Sequence, residues 1–346
     1  MVMFNEQYYQ RVISEYGYDP LDFKPIDFTL PGLEKEVLRK KWLCHHKGDV
    51  FAEGVSSGHS GIVTTGFGLS GVPHVGTISQ MLGAIMLQCA GLKVQIVLGD
   101  LDAYNARNQP IEVVEQRASA FAEFIIALGF DEKRGILRRQ IDHSEILLTT
   151  YLIANSLRDI DFARSEEDIS ELYKSKGVYP GIEFPVKQAI LLMTADFIHL
   201  GKEYEHVLVM LGLDEHRYIR LARDVVSRMK LSMTLGGVYS RMNRGLRGYP
   251  KMSKSIPGSA ITADMKPEAI RDLVVNENAS YDSPWDSPVY QMMCSASFYN
   301  PEDLDLRYRS CQAGDSDWHR FKCEYAEVLI DICRMWPHDK DIKEYS

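Results

Sequence analysis

The chain has 346 residues, with 39 Lys and Arg against 48 Asp and Glu for a formal net charge of −9, and it is 45% hydrophobic and 25% charged. That length suffices for a large domain with a smaller companion, or two of similar size, and the acidity excludes a generally basic nucleic-acid surface although not a local one. Six scattered cysteines without a C-x-x-C pair make a disulfide framework or metal site unexpected, and no apolar run approaches the roughly 18 residues of a membrane span. The start, Met1 to Gln10, is polar and aromatic rather than basic then apolar, so a cytoplasmic protein without membrane partners is expected.

Residues 1–60 mix aromatic and charged residues with turn signals at Asp19-Pro20 and Pro31-Gly32 and read as an N-terminal segment. Gly61 to Phe67 is a β-type run, Ile78, Met81, Leu82, Ile85 and Met86 have helical spacing, and Val94 to Leu98 is a second β-type run. This predicts a βαβ unit with a glycine turn at its first strand-to-helix corner. Helices are predicted over Ile111 to Leu128 and Ser144 to Leu157, around a short apolar stretch at Gly135 to Leu137. A helix after Phe184, a β-type run from His206 to Leu211 and a helix from Glu215 to Met229 continue an alternation that implies a parallel sheet covered by helices. Gly236, Gly237, Gly245 and Gly248, interspersed with Arg241, Arg244 and Arg247, read as a mobile stretch. The remainder reads as helical, with Phe321 to Met335 the clearest amphipathic segment.

Two motifs carry the chemistry. Gly66-Phe67-Gly68-Leu69-Ser70-Gly71-Val72-Pro73-His74-Val75-Gly76-Thr77 places glycines where backbone N–H groups can approach phosphate oxygens. Far downstream, Lys251-Met252-Ser253-Lys254-Ser255 supplies two ammonium groups able to follow the charge that develops when an α-phosphate is attacked. His74 and Thr77 can donate at the helix start.

On these residues the chain resembles class I aminoacyl-tRNA synthetases, whose signatures are an H-I-G-H-type turn, here His74-Val75-Gly76-Thr77, and K-M-S-K-S. Within the tryptophanyl and tyrosyl subgroup it is most similar to the archaeal and eukaryotic tryptophanyl branch. Thr65-Gly66-Phe67-Gly68-Leu69-Ser70 looks like T-G-R-G-P-S, and Asp214-Glu215-His216-Arg217-Tyr218-Ile219-Arg220 looks like D-Q-D-P-Y-F-R. The resemblance implies an α/β fold: a Rossmann-like parallel-sheet catalytic domain over residues 61–270, with a helical insertion at about 105–180 and a signature loop at 249–258. A small helical C-terminal domain over 271–346 would follow. It implies amino-acid activation by ATP with its Mg2+, transfer to tRNA, and a homodimer. His74, Thr77, Lys251, Ser253 and Lys254 would be catalytic, and Gly66, Gly68, Ser70, Gly76, Gly212, Asp214 and Met252 would bind ATP.

The amino-acid pocket implied by the resemblance comprises Thr64, Asp102, Gln188 and Glu215. Gln188 takes the place of a family glutamine that contacts the substrate's amino group, while Glu215 stands for a glutamine and adds a full charge. Thr64 replaces a tyrosine that packs on indole, and Leu191 replaces the aspartate of the tyrosyl pattern, so neither tryptophan nor tyrosine is favoured. Two acids, Asp102 and Glu215, suit a substrate with an extra amino or hydroxyl group. The altered pocket also suits a relative that activates or transfers an amino acid for small-molecule biosynthesis, and a third reading is a non-catalytic nucleotide-binding relative. Arg307, Arg309, Arg320, Lys322 and Arg334 read as solvated helix faces, and Trp285, Tyr290, Trp318 and Trp336 as core or interface.

Overall fold

A computed structural model describes residues 5–21, 29–165, 183–249, 252, 258–277 and 281–337. Among the described residues the strands are β1 (Asp19–Pro20), β2 (Cys44–His46), β3 (Gly61–Gly68), β4 (Val94–Gly99), β5 (Ile136–Arg139), β6 (His206–Gly212) and β7 (Thr234–Ser240). They form one sheet in the order β1-β2-β7-β6-β3-β4-β5, in which β7, β6, β3, β4 and β5 run parallel and β2 and β1 close one side antiparallel. The interior strands β4 and β6 are buried almost throughout, as expected of strands covered on both faces.

The first half of the chain supplies α1 (Glu6–Tyr16), α2 (Lys35–Lys41), α3 (Gly48–Ser56), α4 (Val75–Cys89), α5 (Asp100–Arg107), α6 (Ile111–Ala127), α7 (Ser144–Ala154) and α8 (Asp159–Ser165). The second half adds α9 (Phe184–His199), α10 (His216–Arg228), α11 (Pro267–Val275), α12 (Pro288–Ser295), α13 (Pro301–Ala313) and α14 (Ser316–Arg334). Helix ends follow the capping rules: Asn5, Asn300 and Asp315 accept from backbone N–H groups two or three residues inside their helices, and Pro opens α11, α12 and α13.

The parallel sheet and the βαβ unit at residues 61–99 are as predicted. Three features differ from the sequence reading. The N-terminal segment contributes β1 and β2 to the sheet, the stretch expected as a helical insertion contains the edge strand β5, and the glycine-rich stretch at 234–240 is a buried strand. The C-terminal helices share the main apolar core with α4 and α6, and Trp336 packs edge-on against Phe121 and Phe124 at 5.5 and 5.4 Å between ring centres. Two of the basic residues read as solvated are instead internal. Arg307 is buried with its guanidinium over Tyr299 and Phe321, and Lys322 donates to the carbonyls of Val275 and Glu277.

Candidate active site

In an open parallel sheet a crevice forms beyond the carboxyl ends of neighbouring strands whose connections leave in opposite directions. Here that point lies between β3, which continues to β4 on one side, and β6, which continues to β7 on the other. Two cavities adjoin there. A cleft of about 220 Å³ is lined by Gly66, Gly68, His74, Gly76, Thr77, Gly212, Asp214, Arg241 and Met252 among others. A deeper pocket of about 310 Å³ lies beside it, and the two share Thr65 to Gly68, Leu211, Asp214 and Glu215 as a common wall.

The cleft is shaped by its glycines and by the capped start of α4. His74 is the N-cap of α4, its Nδ1 accepting from Gly76 N at 2.9 Å. With Nδ1 an acceptor, a neutral imidazole carries its proton on Nε2. A side chain at position 76 would put its Cβ 2.7 Å from His74 Cε1, so glycine is required for the ring to lie over the helix start. A Cβ at Gly212 would lie 2.6 Å from Asp214 Oδ1, so that glycine lets the carboxylate approach the end of β6. Gln80 Nε2 donates to Ser240 Oγ at 2.8 Å and ties α4 to β7 across the cleft floor.

Backbone bonds join the two distant motifs. Val75 N donates to Ile261 O at 2.9 Å and Ala263 N to Pro73 O at 3.0 Å, while Met252 N donates to Asn243 O at 2.9 Å. The chain on both sides of the lysine-bearing signature is therefore fastened to the cleft that holds His74. Lys251, Ser253 and Lys254 lie outside the described residues. Ser70, expected with the nucleotide, lines the deeper pocket instead.

The deeper pocket is built from side chains. α9 presents Val186, Ala189, Ile190, Met193, Asp196 and Phe197 to it, a helical i, i+3, i+4, i+7 face. At the bottom Asp196, 3% exposed, accepts from Arg138 at 2.6 Å and from Gln140 Nε2 at 3.0 Å. Burial raises the Asp196 pKa, with the Arg138 guanidinium opposing that shift. Arg138 also donates to Gln95 Oε1, and Gln95 donates to Thr64 Oγ1 at 3.0 Å. Gln140 is held in turn: buried Asp100 accepts from the backbone N–H of Gln140 and Ile141 and from Arg139 Nε, and Gln140 Oε1 accepts from Asp102 N. Thr65 Oγ1 is buried and has no hydrogen-bond partner among the described residues.

Of the residues expected around the amino acid, Asp102 and Glu215 line this pocket. Thr64 and Gln188 do not. Thr64 is wholly buried on the opposite side of β3, bonded to Gln95, and Gln188 is exposed on the outer side of α9. Asp196, Arg138, Gln140, Thr65 and Arg241 were not singled out from sequence as site residues. The available signal for Asp196 was a carboxylate on the apolar face of a predicted helix, three residues after Met193 and seven after Ala189.

Sheet order, paired cavities and their position at the switch point define a Rossmann-like α/β protein with a candidate ligand site at the strand carboxyl ends. Residues 57–277 match the family model for tRNA synthetases class I (W and Y), well over half the chain. The protein belongs to that family and is an enzyme of the aminoacyl-tRNA ligase type. It is 28% identical over 282 residues to the tryptophan–tRNA ligase of Aeropyrum pernix, covering 76% of this chain and 70% of that one. It is 26% identical over 293 residues to the tyrosine–tRNA ligase of Methanopyrus kandleri, covering 82% and 83%. The crystal structure of the Aeropyrum pernix tryptophanyl-tRNA synthetase superposes with a TM-score of 0.76 at 22% identity, covering 97% of this chain and 95% of that one.

Proposed function

We propose that this chain activates an amino acid with ATP, giving aminoacyl-adenylate and pyrophosphate, and transfers the aminoacyl group to the terminal adenosine of a tRNA. The observation that carries this reading is the shared wall: a cleft bearing His74, Thr77 and Asp214 adjoins a pocket across Thr65 to Gly68. A nucleotide in the first and an amino acid in the second would bring α-phosphorus and carboxylate together at those glycines. The carboxylate is ionised at neutral pH and needs no general base, so positioning and charge stabilisation suffice. His74 Nε2 and Thr77 would donate to phosphate oxygens, Asp214 would hold the ribose, and Lys251, Ser253 and Lys254 would close over the triphosphate. Mg2+ enters as the ATP complex, a cation that keeps several waters and binds chiefly through substrate phosphates.

The pocket supports a substrate side chain with a polar end. Indole or an aliphatic chain would leave Thr65 Oγ1 unbonded and bring an apolar surface onto Asp196 and Gln140, a desolvation cost of about 1–3 kcal/mol per unpaired group. A hydroxyl, amide or ammonium would satisfy them, and Asp102 and Glu215 add acceptors for ammonium groups. The partner tRNA, a cytoplasmic location and a homodimer belong to the same reading. For the dimer, α7 exposes Leu147, Leu148, Tyr151 and Leu152 on one short helix, an apolar face suited to a second copy.

Pyrophosphate exchange across all standard amino acids, followed by charging of total tRNA, tests the reading. Exchange with one amino acid plus charging supports it in full. Exchange without charging favours the biosynthetic relative, which the altered pocket also suits, and no exchange with any amino acid returns the non-catalytic one. Sedimentation tests the dimer.

A further inference from the structure

Arg241 is the only lysine or arginine lining the nucleotide cleft among the described residues. It follows the last residue of β7, at the carboxyl end of a parallel strand, and its side chain is 12% exposed. It is held from two other parts of the chain. Glu6 of α1 accepts from its guanidinium at 3.1 Å, and the guanidinium carbon lies 5.1 Å from the Tyr9 ring centre and 4.7 Å from that of Trp285, in the turn before α12. Tyr9 Oη donates to Met242 O, which fixes the backbone beside Arg241. Burial raises the Tyr9 pKa strongly, so the phenol stays neutral and adds no competing anion.

Such a clamp is more than a surface ion pair requires. Aromatic rings restrain the guanidinium plane, and a guanidinium held in a plane presents a fork of donors matched to phosphate oxygens. The other charged side chains that line the cleft among the described residues are the carboxylates Asp214 and Glu215, which repel a triphosphate. The neighbouring stretch completes the placement: Asn243, two residues on, holds Met252 of the lysine-bearing signature.

We propose that Arg241 is a further catalytic residue of the activation step, contacting the β- and γ-phosphates of ATP and the departing pyrophosphate, with Glu6, Tyr9 and Trp285 as its positioning residues. In that step a carboxylate oxygen forms a bond to the α-phosphorus, the bond from that phosphorus to the α–β bridging oxygen breaks, and the electron pair leaves with pyrophosphate. Arg241 remains protonated throughout and meets the charge that grows on the leaving group. The inference rests on the adenylation reading for its chemistry, but its test by binding does not.

The experiment compares the full-length wild type with R241Q, R241K and E6Q, measuring binding of ATP, AMP and inorganic pyrophosphate by calorimetry and, separately, pyrophosphate exchange. R241Q is expected to weaken ATP and pyrophosphate about 10- to 100-fold while leaving AMP within about twofold. R241K, which keeps the charge without the fork, is expected to lose at least about threefold of the preference for ATP over AMP. E6Q is expected to lower kcat of exchange about threefold to tenfold with KM for ATP little changed, the signature of a displaced rather than missing cation. Methylguanidinium added to R241A should restore part of the exchange, which a purely structural arginine would not allow. Equal weakening of AMP and ATP, or an unchanged ATP preference in both R241Q and R241K, would overturn the proposal. If the wild type binds ATP yet exchanges with no amino acid, the adenylation reading fails while the ATP-against-AMP comparison still judges Arg241.

Discussion

The cleft at the start of α4 and the side-chain pocket beside it share a wall and are made in opposite ways. The cleft is a matter of main chain: a capped helix start, glycines where a Cβ would strike His74 or Asp214, and strand-like bonds that bring residues near 75 and 261 together. The pocket is a matter of side chains drawn from β3, β4, α5 and α9 with Gln140 after β5, and its Asp196 is held by buried Arg138. A backbone-built cleft constrains a few residue types strictly and leaves the rest free. A side-chain-built pocket lets the ligand change while the fold stays. The fold can thus superpose on that of tryptophanyl-tRNA synthetase while the pocket's side chains vary independently of it.

The largest effect should come from the pocket's foundation. R138A leaves Asp196 buried without its cation, and breaking such a pair by removing one partner costs about 3–5 kcal/mol of unfolding free energy. Denaturant unfolding measures it, and a loss below about 1 kcal/mol would show the pair to be peripheral. Replacing both partners with apolar residues of similar volume, as in R138M with D196L, should recover most of the stability while abolishing any use of the pocket.

Next is the cleft. H74A should lower pyrophosphate exchange about 10²-fold to 10³-fold through the lost donor, the size seen when one positioned transition-state donor is removed. It also removes the α4 cap, for which about 1 kcal/mol of stability is expected. H74N keeps a capping oxygen without the Nε2 donor, so it should restore the stability and not the rate. Recovery of both would reduce His74 to a cap. G76A should act more mildly, about tenfold on exchange, by pushing the imidazole off the position that the missing Cβ allows. An unchanged rate in G76A would mean that the ring relaxes without consequence.

The same contrast governs what could be read before the structure. Gly66, Gly68, His74, Gly76, Gly212 and Asp214 were named through the family resemblance, whose motifs are glycines and caps at fixed spacing, and all six line the cleft. β7 was not legible, because Gly236 and Gly237 look like loop residues. In the sheet a Cβ at 236 would meet His46 O at 2.8 Å and one at 237 would meet Tyr239 Oη at 2.5 Å, so the glycines serve packing rather than mobility. β2 and β5 escaped notice as strands of three and four residues whose pairing is set by distant partners. In the pocket the register of α9 decides everything. A continuous apolar run such as Ala189-Ile190-Leu191-Leu192-Met193 fits a helix facing either way, and sequence alone does not choose its inner side.

The smallest expected effect tests that choice directly. Family likeness puts Gln188 on the substrate's amino group, whereas α9 turns Gln188 outward and Ala189, Ile190 and Met193 inward. At about 100° per residue the α9 positions that line the pocket span about 120° and Gln188 falls about 140° from their centre, so it cannot share the pocket face without rotation of the whole helix, which the Asp196 bonds to Arg138 and Gln140 oppose. Q188A should therefore leave KM for the activated amino acid within about twofold of wild type, since an exposed side chain makes no contact that truncation removes. A tenfold rise in KM with kcat unchanged would instead be the mark of lost ground-state binding. It would place Gln188 in the pocket and require α9 to turn on its axis when substrate enters.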